Sequence, residues 1–291
     1  MKFFNILKHD LNKIMMNKGF IFAIFLTFLL AFSGEAYHDD VNGRSYTIFE
    51  SLFAFSHDYI NSNNSFSSFS VFQNGMTGYV PMFLPIIASF PFILSFSTER
   101  SSGYMRFSII RTRKSNYYLS KFISSFLSGG TAVLFGMGLF GIIIYIIFPN
   151  ISSFNENMDY LSVVMPNGEA IEIVKTLVSL FLYGGFSAMP AFFLTSFTQN
   201  PYINMCLPFL FVYIWDTAVN KMLTNAFETG NVVIQEVLPA CRPDSARRIV
   251  YISKVPLSIA DRSVLLFNCF YMFLFLFGYI VVMNKRTDHG A

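Results

Sequence analysis

Side chains able to do chemistry are few in this chain and lie far apart. The histidines are His9, His38, His57 and His289, and the cysteines are Cys206, Cys241 and Cys269. Imidazoles and thiolates hold zinc only when several stand at short, fixed spacings. No CxxC pair, HExxH run or paired-glutamate motif occurs in the chain. His38-Asp39-Asp40 and His57-Asp58 read as polar loop residues, so no metal site is expected. Cys206 and Cys269 stand inside apolar runs and read as small buried hydrophobes, with Cys241 as a loop thiol. A phosphate-binding loop needs the pattern GxxxxGK[ST], and Gly129-Gly130 and Gly184-Gly185 have no lysine following them. The expectation is a chain with no catalytic residues and no cofactor of its own.

Chemically distinctive residues concentrate in one stretch, Thr98–Lys121, which reads TERSSGYMRFSIIRTRKSNYYLSK. Glu99 and Arg100 close an apolar run, Gly103 can break a helix, and Tyr104–Ile110 makes a short apolar-aromatic piece containing Phe107. Arg111, Arg113 and Lys114 then precede Tyr117, Tyr118 and Lys121, which open the next apolar run. Aromatic and basic residues on a short exposed helix suit docking to a soluble partner.

The elements that must position this stretch follow from composition. Of 291 residues, 54% are hydrophobic and 13% charged, with 37 phenylalanines and a mean hydropathy of +0.50. A soluble domain carries about 25% charged residues, so an ordinary soluble enzyme, a disordered tail and a small disulfide scaffold are excluded. The net charge of +3 is explained by topology rather than by nucleic acid.

A bilayer core about 30 Å thick takes about 20 apolar helical residues. Six spans are predicted, at about 19–36, 79–97, 122–148, 174–197, 203–219 and 263–283. The fold class is therefore an all-α membrane protein: residues 1–18 form an amphipathic interface helix and 19–291 a single six-helix domain. Phe3, Phe4, Leu7, Leu11, Ile14 and Met15 share one face of that leader, and Asn5, Lys8, His9, Asn12 and Lys13 the other, as in helices lying at a membrane surface. The leader and first span resemble a secretory signal, but the patterned leader favours a retained span, lengthened by Ala36 and Tyr37 and anchored by Lys18.

Basic residues favour the cytoplasmic side. The leader, the loop 98–121 and the tail carry most of the lysine and arginine, whereas 34–78 holds Arg44 alone against five acids and 149–173 holds none against four. Both termini are thus expected in the cytoplasm, with outer loops at 34–78, 149–173 and 220–262. Asn61–Ser70 reads as an exposed polar excursion. The third outer loop is more basic and too apolar for a plain loop. Its prolines 239, 243 and 256 break helices, so it reads as partly re-entrant.

Ion-coupled carriers place acids, His or Arg within their spans, and these spans are nearly free of charge. Asp216 is the exception. It is read three residues from the outer end of its span, where it reaches water, and is otherwise the one candidate for touching a substrate. Lys175 reads as a snorkelling anchor.

In this order and setting, Glu99, Gly103, Arg111 or Arg113, and Lys121 resemble the motif of the membrane subunits of type-2 ATP-binding-cassette exporters, and the architecture resembles that family throughout. The loop 34–78 is longer than the family's minimal form. The resemblance implies a permease subunit of a bacterial cell membrane, paired with a second permease subunit, identical or related. It implies separate ATPase subunits that bind ATP and Mg. Gly103–Ile110 would be the coupling helix, with Glu99, Gly103, Tyr104, Phe107, Arg111, Arg113 and Lys121 as the ATPase-coupling residues. The cargo would be an amphipathic peptide, drug or lipid. Membrane lipid is the surrounding partner and nucleic acid is not one. The competing readings are an ion-coupled secondary carrier and a non-transporting membrane sensor or immunity protein.

Overall fold

In the computed structural model, residues 2–39, 43–151, 168–252 and 256–288 are described, without the side chains of residues 2, 101, 104, 106, 107, 111, 287 and 288. Asp40, His289 and residues 152–167 of the second outer loop lie outside them.

The chain is mostly helical. The first pair, α1 (Lys2–Met15) and α2 (Lys18–Ala31), meets at a 61° bend. A β-hairpin follows, β1 (Glu35–Asp39) with β2 (Arg44–Thr47), antiparallel with Tyr37 opposite Tyr46. Short helices α3 (Ile48–Ala54), α4 (His57–Ser62) and α5 (Ser68–Asn74) complete this excursion. Then come α6 (Val80–Ser101), α7 (Tyr104–Arg111), α8 (Lys114–Ile147), α9 (Glu169–Leu194) and α10 (Pro201–Glu228). A broken segment contains α11 (Val232–Val237) and two 3-10 turns, Leu238–Cys241 and Pro243–Tyr251, before α12 (Ile259–Asp288). Five helices are long and apolar enough to cross a membrane, or six if the bent α1–α2 pair counts as one span. The chain is thus compatible with a multi-pass membrane protein.

Small residues set the centre of the bundle, where close approach of helices lets backbones pack in an apolar solvent. A Cβ at Gly129 of α8 would stand 2.9 Å from the Ala88 carbonyl of α6 and 3.0 Å from the Gly184 carbonyl of α9. One at Gly136 would stand 2.8 Å from the Ile24 carbonyl of α2. Hydroxyls within the helices donate back to carbonyls one turn earlier, as Thr27 does to Ala23 at 2.8 Å and Ser179 to Thr176 at 2.7 Å. These hydroxyls are thereby satisfied without water, whereas those of Ser124 and Ser125 on α8 are buried without a bond.

Several boundaries differ from the sequence reading. The first span ends at Ala31, because Ser33 caps the turn by donating to the Leu30 carbonyl and Ala36 and Tyr37 enter β1. Helix α2 is therefore about 21 Å long. Helix α8 begins eight residues earlier than expected, since Lys114–Lys121 is helical. The Asn/Ser run is only partly exposed. Phe66, Ser67, Ser68 and Phe69 are buried, because Phe66 stacks on Tyr37 and on Phe148 of α8's C-cap and the Ser68 amide donates to the Pro149 carbonyl at 2.9 Å. Cys206 and Cys269 are exposed on α10 and α12 rather than buried, since an apolar run faces lipid as readily as a core. Lys175 pairs with Glu172 at 2.7 Å instead of extending alone.

The broken segment packs against the helices of the bundle. Its second 3-10 turn packs between α9 and α12, with Ser245 and Ala246 buried. Trp215 of α10 donates to the Cys241 carbonyl at 2.7 Å, Asn268 of α12 to Ser245 at 3.2 Å, and Thr176 of α9 meets the Tyr251 hydroxyl at 3.1 Å.

Candidate functional site

Helix α7 is set off by backbone chemistry. Helix α6 ends at Ser101, and Gly103 follows at φ +72°, a left-handed conformation that only glycine adopts without strain. The chain turns there and re-enters a helix for eight residues before Thr112 and Arg113 become extended. Met105 is buried and Ile109 half-buried against the bundle, whereas Ile110 is 82% exposed and Arg113 is exposed. The side chains of Tyr104, Phe107 and Arg111 lie outside the described residues.

Beneath α7, the two helices that carry it are locked together by charge. Lys121 of α8 donates to Glu99 of α6 at 2.6 Å and to Asp10 of α1 at 2.8 Å. Lys13 of α1 reaches the other oxygen of Glu99 at 3.0 Å, and Ser120 donates to Asp10 at 3.2 Å. Two cations thus face two carboxylates, and Lys121, Glu99 and Asp10 are all nearly inaccessible. Aromatic rings of Phe96 and Tyr117 flank the ammonium at 5.9 and 5.3 Å. Removing such charges from water costs several kcal/mol per ion, so the cluster holds only because every member is paired. Its geometry fixes α1, α6 and α8 relative to one another at a single point.

A second set of polar contacts extends the tie. Arg100 donates to the carbonyls of Thr195 and Thr198, in the turn joining α9 to α10. Arg286 of α12 donates to the Phe197 carbonyl in that turn at 2.9 Å. The turn itself is pinned by Asn204, whose side chain bonds both the Thr198 hydroxyl and, at 3.2 Å, the Thr198 carbonyl. Every long helix therefore converges, through side-chain bonds, on the end of the bundle from which α7 projects.

The structure brings Glu99 and Lys121 into direct contact and places Gly103 at the turn as expected. Sequence reasoning missed Asp10. The signal present was a lone acid in the lysine-rich leader, one helical turn before Ile14, and both are buried in the bundle while Phe4 of the expected apolar face is 71% exposed. Asp216 needs correction. Helix α10 runs on to Glu228, so Asp216 stands about 22 Å from its start rather than near its end. There it accepts from Asn220 at 3.0 Å and pairs with Arg242 of the broken segment at 3.4 Å. It fastens that segment to α10. Among the described residues no group of His, Cys, Asp and Glu could hold a metal ion. No protein-family model matches the chain, and no curated protein matches it.

Proposed function

We propose that this chain is the permease subunit of an ATP-binding-cassette exporter, with both termini in the cytoplasm of a bacterial cell. It would pair with a second permease subunit and move an amphipathic peptide, drug or lipid. The observation that carries the reading is α7: a short helix on a glycine turn, projecting from helices whose roots are joined by the Asp10–Lys121–Glu99–Lys13 cluster. A soluble ATPase seated on α7 would push on a rigid point shared by α1, α6 and α8. ATP would be hydrolysed in that partner, since this chain offers no phosphate loop.

Two further features support it. The end bearing α1 and α7 carries Lys8, Lys13, Arg100, Arg113, Lys114 and Lys285 against Asp10 and Glu99, whereas the hairpin end carries Glu35, Asp39, Glu50 and Asp58 against Arg44, a bias that favours the basic end inside. Helices α10 and α12 are also the least buried of the long helices, which leaves lateral faces for lipid or for a second subunit. Coupling requires that the two membrane states differ in their affinity for the nucleotide-bound partner.

The test is purification in mild detergent at native expression, with ATP hydrolysis assayed. A stoichiometric phosphate-loop ATPase should co-purify, and Arg111→Glu with Arg113→Glu should release it while leaving the chain in the membrane. Purification alone without nucleotide dependence, or normal transport by the double variant, would defeat the proposal.

A further inference from the structure

A cavity of about 170 Å³ lies in the wall of the bundle between α9, α10 and α12, roofed by Pro243 of the broken segment. Its sides are aromatic, with Phe186 on α9, Phe211 and Trp215 on α10, and Phe270 on α12. Phe211, Trp215 and Phe270 are each at least 40% exposed, so the mouth opens sideways between two helices whose outer faces are apolar. None of the residues lining the cavity carries a charge.

Besides the Trp215 indole, which bonds the Cys241 carbonyl, and the Tyr271 phenol, two polar side chains break this apolar lining. Ser187 of α9 is 8% exposed, and its hydroxyl has no hydrogen-bond partner among the described residues, although other helix hydroxyls here, such as those of Thr27, Ser89 and Ser179, bond the preceding turn. Asn268 of α12 is 4% exposed. Its amide nitrogen is used twice, toward Ser245 at 3.2 Å and the Val264 carbonyl at 2.9 Å, while its Oδ1 accepts no bond among the described residues. Neither atom is among the fully enclosed unbonded side-chain atoms, so both open to the cavity, where the polar group of a ligand can pair with them. Here a donor and an acceptor stand unpaired in the lining of one aromatic cavity.

We infer that this cavity binds a neutral amphiphile drawn from the lipid phase, taking its hydroxyl or amide group between Ser187 and Asn268. A hydroxyl or amide offers both the acceptor that Ser187 lacks and the donor that Asn268 Oδ1 lacks. A charged headgroup would lose its hydration with no counter-ion in the lining to replace it. The volume suits the polar end and the first few carbons, since a dry cavity of about 150 Å³ takes one benzene ring. The remaining chain would lie along Phe211 and Phe270 in the mouth. The site stands whether or not an ATPase docks at α7.

Trp215 is the single tryptophan of the chain, so its fluorescence reports on this site. The full chain in phosphatidylcholine nanodiscs would be titrated with a brominated monoacylglycerol, which is neutral and carries hydroxyls, and separately with brominated phosphatidylcholine. Quenching by the monoacylglycerol should saturate at a low mole fraction, and quenching by the phospholipid should rise with bulk content. Ser187→Ala, which leaves the Asn268–Ser245 bond in place, should raise half-saturation about three- to tenfold, the worth of one hydrogen bond. Asn268→Leu should raise it at least as far. Unsaturable quenching by both lipids alike would overturn the site, as would a Ser187→Ala titration that matches the unaltered protein. Equal saturation by a brominated fatty acid at alkaline pH would overturn the preference for a neutral head.

Discussion

Lys121 is the one buried lysine or arginine among the described residues, and it is held by two carboxylates from two other helices. Truncating one partner of such a cluster leaves the others charged and dry, at about 3–5 kcal/mol. Lys121→Met should therefore lower thermal stability in detergent markedly. Adding Asp10→Asn and Glu99→Gln should restore most of it, because the buried members then carry no charge and the remaining Lys13 is 40% exposed to solvent. An unchanged melting temperature for Lys121→Met would show that the cluster carries no such weight. The sequence marked Glu99 and Lys121 as the two brackets of one stretch but not their pairing, which needs α6 and α8 side by side; Asp10 lies 111 residues from Lys121, and its role depends on which face of α1 turns inward.

At the scale of elements, α7 depends on one dihedral angle. Gly103 stands at φ +72° with nothing within 4 Å of where a Cβ would be, so the obstacle to a side chain is conformational rather than steric. Gly103→Ala should cost about 1–2 kcal/mol in the left-handed conformation, which the chain can relieve by tilting α7. The expected outcome is a fully folded protein whose partner-dependent ATP hydrolysis falls, with Gly103→Asn impaired less because asparagine tolerates this conformation better. Equal activity in Gly103→Ala and the unaltered chain, measured with the co-purified ATPase, would count against α7 as the coupling element. The existence and place of α7 were readable from the glycine and the polar flanks. The early start of α8 was not, because the polar residues Lys114–Lys121 look like loop until Tyr117, Tyr118 and Lys121 find buried partners.

For the whole molecule, the open question is whether α2 crosses the membrane. At about 21 Å it falls short of the usual core thickness of about 30 Å, yet it packs along α6 and α8 through Gly19, Phe20, Ala23 and Thr27 and exposes Ile21, Phe22 and Phe25 outward. A complete crossing puts α1 and the end of α12 on one side and the hairpin on the other. In a chain with its three cysteines replaced by serine, a cysteine at Asn5 and one at Lys285 should react with an impermeant thiol reagent from the same side, and one at Asn61 from the opposite side. Labelling of Asn5 and Asn61 from one face would make the α1–α2 pair re-entrant and reduce the spans to five. What the sequence by itself determined is the solvent: 54% hydrophobic residues in long runs cannot be hidden from lipid, and the helix follows because lipid satisfies no backbone group. Its basic and aromatic punctuation also marked where α7 would stand. Only the tertiary structure decided which apolar faces touch each other and which stay exposed, because in a long apolar helix both look alike in sequence. It alone joined Asp10 to Lys121, seated Asp216 on Arg242, and brought the Ser187 hydroxyl and Asn268 Oδ1 to the lining of one cavity, since each arrangement depends on helices meeting that lie far apart along the chain.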